Sequence, residues 1–313
     1  MEKDFKENER LGEERLNNQG CLMKVVEYNN ARDIIVEFQD KYKARVCCQW
    51  NNFINGIVSN PFWRVGEVRL NYQNDLMQII KYNRSDDIIV EFQDLYKGKV
   101  HTTYRAFKMG KVKNPYHPTV CGVGMIGDKY PSKTNDNLLR EYDAWKSMLN
   151  RCYNVKYKEK YPTYQSVTCC EEWLLYENFY EWLHSQENFD KWVNQERWSV
   201  DKDILVKGNK IYSPETCCLV SMDINQLFSR HKSDKKMLPI GVKKVGVVFQ
   251  ALCYCNGKEN YIGTYKTIEE AFLAYKTYKE DLIKRVAQEE YDKGNITKRC
   301  YEAMLNYKVE ITD

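Results

Sequence analysis

The chain has 313 residues, with 48 Lys and Arg against 44 Asp and Glu for a formal net charge of +4, and it is 43% hydrophobic and 29% charged. That balance excludes a disordered chain, and the small charge excludes a protein that holds nucleic acid by bulk phosphate neutralisation, so any such face must be local. The length exceeds what one modest core organises, and an α+β, multidomain protein is expected.

No apolar run approaches the roughly 18 residues that span a bilayer, and the opening MEKDFKENERLGEERLNNQG is charged and lacks an apolar signal region. A cytoplasmic protein without a membrane partner is therefore expected. The 12 cysteines are spread along a long chain and include the adjacent pairs Cys47-Cys48, Cys169-Cys170 and Cys217-Cys218, which reads as reduced thiols rather than a disulfide framework. Cys253 and Cys255 alternate along one strand, a spacing that does not make a zinc knuckle.

After the charged segment 1–20, two β-rich repeats are expected at 21–66 and 67–121. Sliding the chain by 54 positions superimposes Asp33-Ile-Ile-Val-Glu-Phe-Gln-Asp40 on Asp87-Ile-Ile-Val-Glu-Phe-Gln-Asp94, Met23 on Met77, Tyr28 on Tyr82, Trp50 on Tyr104, Phe53 on Phe107, Gly56 on Gly110 and Asn60-Pro61 on Asn114-Pro115. In each copy a β-branched run leads through a polar turn to a second strand, as in Ile34–Val36 and Ala44–Val46, and a helical turn carrying Trp50 and Phe53 closes on the hairpin. The repeated aromatics are expected in small cores, with a pair of weak binding modules as their function.

Residues 122–137 read as a glycine-rich linker. Gly122, Gly124 and Gly127 match the spacing of a dinucleotide fingerprint, but no βαβ pattern surrounds them and no nucleotide is expected there. A helix follows, with Leu138, Tyr142, Trp145, Met148 and Leu149 on one stripe and Asp136 or Asn137 as its cap. A second helix is expected from Glu172 and Trp173 through Phe179, Trp182 and Leu183.

Trp145, Met148-Leu149, Arg151-Cys152-Tyr153, the Cys170–Trp173 helix start and the segment 198–231 together resemble phage HNH-like endonucleases, over roughly 140–231. The resemblance implies a helical plus ββα domain at 138–236, with Asp201, Lys202, Asn225 and His231 at the vestigial catalytic positions. An HNH nuclease needs a histidine beside its acidic residue to take a proton from water while a metal polarises the phosphate. Lys202 stands at that place, and a protonated lysine neither accepts the proton nor tolerates a nearby cation. Asp201 and His231 are the metal ligands if there are any. No cofactor is expected, and a divalent ion enters only if the chain is an active nuclease.

From 237 to 313 the chain reads as three strands, 240–244, 247–254 and 259–265, with a tight turn at Asn256-Gly257. A capping box at Thr267–Glu270 opens a helix with Ile268, Ala271, Phe272, Tyr275, Leu282, Ile283 and Val286 on its buried stripe. Gly241-Val242, Ala251, Ile262-Gly263-Thr264-Tyr265, Thr267, Glu269-Glu270-Ala271 and Ala274-Tyr275 resemble the plant APETALA-type DNA-binding domain and its phage relatives. The resemblance implies a helix-backed sheet that enters the major groove, with Lys243, Lys244, Gln250, Tyr254 and Lys258 as contacts.

The expected function is a phage-type protein that binds double-stranded DNA, built on an HNH homing-endonuclease layout without nuclease activity and acting in the host cytoplasm. One alternative is a phage inhibitor that binds a host protein, a defence enzyme. Another is an active metal-dependent HNH nuclease. A homo-oligomer is left open.

Overall fold

The computed structural model describes residues 10–228, 238–255 and 257–311. The chain is α+β and forms two compact units divided between His117 and Pro118. No helix among the described residues is long and apolar enough to cross a membrane. All 12 cysteines are free thiols.

The first unit contains the two repeats, each a four-stranded antiparallel meander followed by one short helix. Repeat 1 comprises β1 (Glu14–Leu16), β2 (Leu22–Asn30), β3 (Asp33–Phe38), β4 (Arg45–Cys48) and α1 (Trp50–Ile54). Repeat 2 comprises β5 (Val68–Leu70), β6 (Leu76–Arg84), β7 (Asp87–Phe92), β8 (Lys99–Thr102) and α2 (Tyr104–Lys108). The 54-residue offset carries every strand register across, from Met23↔Phe38 to Met77↔Phe92 and from Val36↔Val46 to Val90↔Val100. Alternation puts Met23, Val25, Ile34, Val36 and Phe38 on one face, where Phe53 closes a core of its own, and Met77, Ile79, Ile88, Val90, Phe92 and Phe107 do the same in the second copy.

The first sheet begins before the 21 read from the sequence, whereas the first strand of the second, Val68–Leu70, lies within the expected 67–121. Glu14–Leu16 pairs with β2, so the expected charged segment 1–20 supplies an edge strand to the first sheet. Arg10 and its counterpart Arg64 lie against aromatic rings of their own repeats, Tyr28 and Trp50 in the first and Tyr104 in the second. A buried asparagine pins each copy. Asn17 accepts from the backbone N–H groups of Gln19 and Cys21 and donates to the Val58 carbonyl at 2.9 Å, and Asn71 repeats the pattern with Gln73, Asp75 and Val112.

The second unit starts with the segment expected as a linker, and that expectation fails for a packing reason. Val120, Cys121, Ile126 and Tyr130 pack on the main core. Gly127 has φ +84°, and an added Cβ would land on the Glu177 carboxylate. That carboxylate accepts from the backbone N–H groups of Asp128 at 2.8 Å and Lys129 at 2.7 Å. The glycine run is thus a close-packed turn, and Glu177 occupies the space a side chain would need. Residues 133–138 form a small hairpin, β9 (Lys133–Thr134) with β10 (Asn137–Leu138), so Asp136 and Asn137 do not cap the following helix.

That helix, α3 (Arg140–Tyr153), is followed by α4 (Val155–Lys160), β11 (Thr168–Cys169), α5 (Tyr176–His184) and α6 (Phe189–Asn194). The expected second helix is broken at Leu175 into a 3₁₀ turn, Glu172–Leu174, and α5. The buried Trp145 donates from Nε1 to the Trp173 carbonyl at 2.7 Å, which ties α3 to that break. Next come β12 (Trp198–Asp201), β13 (Ile211–Tyr212), β14 (Cys218–Ser221) and α7 (Met222–Phe228), with β12 and β14 antiparallel and β13 parallel to β11.

The last part is a three-stranded antiparallel sheet, β15 (Val242–Val245), β16 (Val248–Cys255) and β17 (Lys258–Tyr265), packed on the long helix α8 (Ile268–Asp292), and the chain ends with α9 (Lys298–Leu305). Thr267 and Glu270 form the capping box expected from the sequence. The boundary expected at 237 does not separate two cores. The far half of α8 and α9 bury Ile283, Ala287, Cys300 and Met304 against Cys218, Val220 and Ile224 of the ββα segment.

Candidate functional site

Two places carry the expected functional residues. The first is the β12–β14–α7 segment, two antiparallel strands followed by a helix. Register places Ser199 opposite Val220 and Asp201 opposite Cys218, so these four share one face of the hairpin. That face looks into the core shared with α8 and α9.

Asp201 is 8% exposed, and its Oδ1 accepts from the backbone N–H groups of Asp203 and Ile204, both at 2.8 Å. Burial raises its carboxyl above the usual range, outweighing the two backbone bonds that hold it down. Lys202 is buried as well. Its Nζ pairs with Asp203 Oδ2 at 2.6 Å and donates to the Asn209 carbonyl at 3.1 Å, closing the 202–209 loop. Asn209 returns the contact by donating to the Lys202 carbonyl at 2.9 Å. Asn225 on α7 donates to Ser199 Oγ at 3.1 Å, and His231 lies outside the described residues.

These donors do not fit a divalent ion. Asp201 turns an oxygen to two N–H groups, and the neighbouring position presents an ammonium ion already paired with Asp203. Among the described residues, no group of three His, Cys, Asp or Glu side chains is placed to hold a metal. Asp201 caps the turn that leaves β12, and Lys202 and Asn209 brace the loop beyond it.

The second place is the sheet β15–β16–β17. Ala251 and Cys253 are buried beneath α8, and Phe249 and Cys255 pack beside them. Successive side chains on a strand point to opposite faces, so Gln250, Leu252 and Tyr254 face away from the helix. The register brings Lys243 beside Gln250 and Thr264 on Gln250's other side, then Tyr261 beside Leu252 and Glu259 beside Tyr254. Tyr261 and Thr264 are joined through their hydroxyls at 2.7 Å.

The five contacts expected from the sequence therefore divide. Lys243, Gln250 and Tyr254 share the outer face. Lys244 pairs in register with Phe249, with its Nζ 5.9 Å from that ring, and Lys258 pairs with Cys255, so both belong to the helix side of their strands. Adjacent residues of one strand cannot both face a groove, which is why Lys243 and Lys244 separate. Thr264 and Tyr261 were missed as outer-face residues. A bulge at Ile262 sets their facing, because β17 pairs Gly263 with Ala251 but Tyr261 with Leu252.

Beneath the sheet, Lys279 occupies a core position of α8 and is 7% exposed, and burial lowers its ammonium pKa. No family model, curated protein or solved structure matches this chain.

Proposed function

We propose that this protein binds double-stranded DNA through the outer face of β15–β16–β17, and that its ββα segment is a structural platform rather than a hydrolytic centre. The observation that carries the reading is the division of the sheet. One face is sealed by α8, and the other presents Lys243, Gln250 and Thr264 in one row with Tyr254 and Tyr261 beyond it. A sheet of this width fits the major groove, a glutamine matches the paired donor and acceptor edge of adenine, and a lysine matches guanine or a phosphate. With one cation and one carboxylate, Glu259, among these outer positions, affinity would come from groove fit more than from charge. Support for a non-hydrolytic centre comes from Asp201 and Lys202, whose polar atoms are engaged in holding their own loop.

The test is fluorescence-anisotropy titration of the full chain with a labelled duplex at several salt concentrations. Lys243→Ala, Gln250→Ala and Tyr254→Ala combined should weaken binding at least tenfold, with a salt slope lower by about 0.9 for the one cation lost. Lys244→Ala with Lys258→Ala should leave affinity within about twofold, since both side chains belong to the helix side of the sheet. If the second variant loses binding and the first retains it, the outer face is not the site.

A further inference from the structure

The two repeats share one scaffold, so exposed positions at which they differ show what each copy has acquired. At four positions that are exposed in repeat 2, repeat 1 carries Asn51, Ile54, Ile57 and Ser59, while repeat 2 carries Arg105, Lys108, Lys111 and Lys113. All four cations are exposed, and none has a carboxylate partner among the described residues. Some other cations of the repeats are engaged: Arg45 and Lys99 pair with Glu37 and Glu91 across the sheet, and Lys97 donates to Gln93.

The four lie within nine consecutive residues, 105–113. Arg105 and Lys108 lie three apart on α2 and share a helix face. Lys111 and Lys113 are exposed on either side of the buried Val112. Of the apolar residues between the four, Phe107 and Val112 point into the core of the repeat, while Met109 is exposed. A patch with four exposed cations and a single exposed apolar side chain, Met109, suits a polyanion rather than a bilayer interior.

We infer that repeat 2 holds the phosphate backbone of duplex DNA through Arg105, Lys108, Lys111 and Lys113. This is a sequence-independent contact on the first unit, separate from the outer sheet face of the second. Repeat 1 shows that the scaffold does not need these cations, since neutral residues fill the same positions without changing a strand register.

The experiment uses the full chain, a labelled duplex and a salt series. Arg105→Gln, Lys108→Gln, Lys111→Gln and Lys113→Gln combined should lower the slope of log affinity against log salt by up to about 3.6, at 0.9 for each phosphate contact. A charge-matched control, Arg32→Gln, Lys41→Gln, Lys43→Gln and Arg45→Gln in repeat 1, should lower it by less than about 1. Equal losses in the two variants would reduce the effect to net charge and overturn the inference, and so would an unchanged slope in the repeat 2 variant. Tighter binding of the wild type to single-stranded RNA or phosphatidylserine vesicles than to duplex would overturn it in favour of that partner. Loss of slope in the repeat 2 variant, with no effect of the outer-sheet substitutions, would uphold this contact while removing the sheet reading.

Discussion

Replacing Asp201 separates a turn-capping acid from a catalytic or metal-binding one. Asp201→Ala removes the acceptor of two backbone N–H groups at 2.8 Å, and the Ile204 donor is left in a buried setting. An unsatisfied buried donor costs ~1–3 kcal/mol, so two of them, partly offset by release of a buried charge, should cost about 2–4 kcal/mol. Asp201→Asn keeps an oxygen at the same place and loses only the charge, so its stability at pH 7 should equal or exceed the wild type. The sign of the pH dependence follows from the raised carboxyl pKa. A folded-state value above the unfolded one contributes stability that is full below the unfolded pKa of about 3.9 and is lost as pH rises through the folded value. The advantage of the asparagine variant should therefore shrink as the pH is lowered from 7 toward 4. Urea denaturation of the three proteins across that range, with midpoint and slope fitted separately, measures it. If Asp201→Asn loses as much stability as Asp201→Ala, the charge itself is required and the turn-capping account is refuted.

Gly127→Ala should destabilise the second unit by about 2 kcal/mol or more, because the new methyl meets the Glu177 carboxylate at a positive φ, and thermal melting of the full chain reads the loss. Asn17→Ala and Asn71→Ala should each cost about 2–3 kcal/mol and act locally, with hydrogen exchange accelerating in the repeat that carries the substitution and not in the other. Arg140→Ala removes donors to the carbonyls of Gln195 at 2.6 Å and Trp198 at 3.1 Å and the cation above Trp192, and calorimetry should show a loss of about 2 kcal/mol with the helices retained.

Much of this architecture was legible in the chain because its signals are local. The duplication stands out since a buried hairpin tolerates little change on its inward side, and Ile34, Val36 and Phe38 recur as Ile88, Val90 and Phe92 for that reason. The capping box at Thr267 and Glu270 and the strands of the last sheet rest on neighbours within a few residues, and they appear where expected. The division of Lys243 from Lys244 was also open to reading, since strand alternation alone forbids both from reaching one groove.

Other features depend on partners far along the chain. Gly127 looks like a linker residue until Glu177 is packed against it. Asn17 looks like a loop residue until the Val58 carbonyl arrives 41 positions later. The apolar stripe of α8 says that one side of the helix is buried, but not what lies against it. Its 25 residues span about 37 Å, whereas the 8-residue strands it backs run about 27 Å, so its last turns must find another surface. That surface is the ββα hairpin, which fills the side of Asp201 and Cys218 with apolar side chains. Periodicity specified the elements because it is a property of each segment alone. The joining of the ββα segment and the sheet module through one core was decided only when the chain folded, because a stripe of leucine, isoleucine and alanine carries no label for the surface that will cover it.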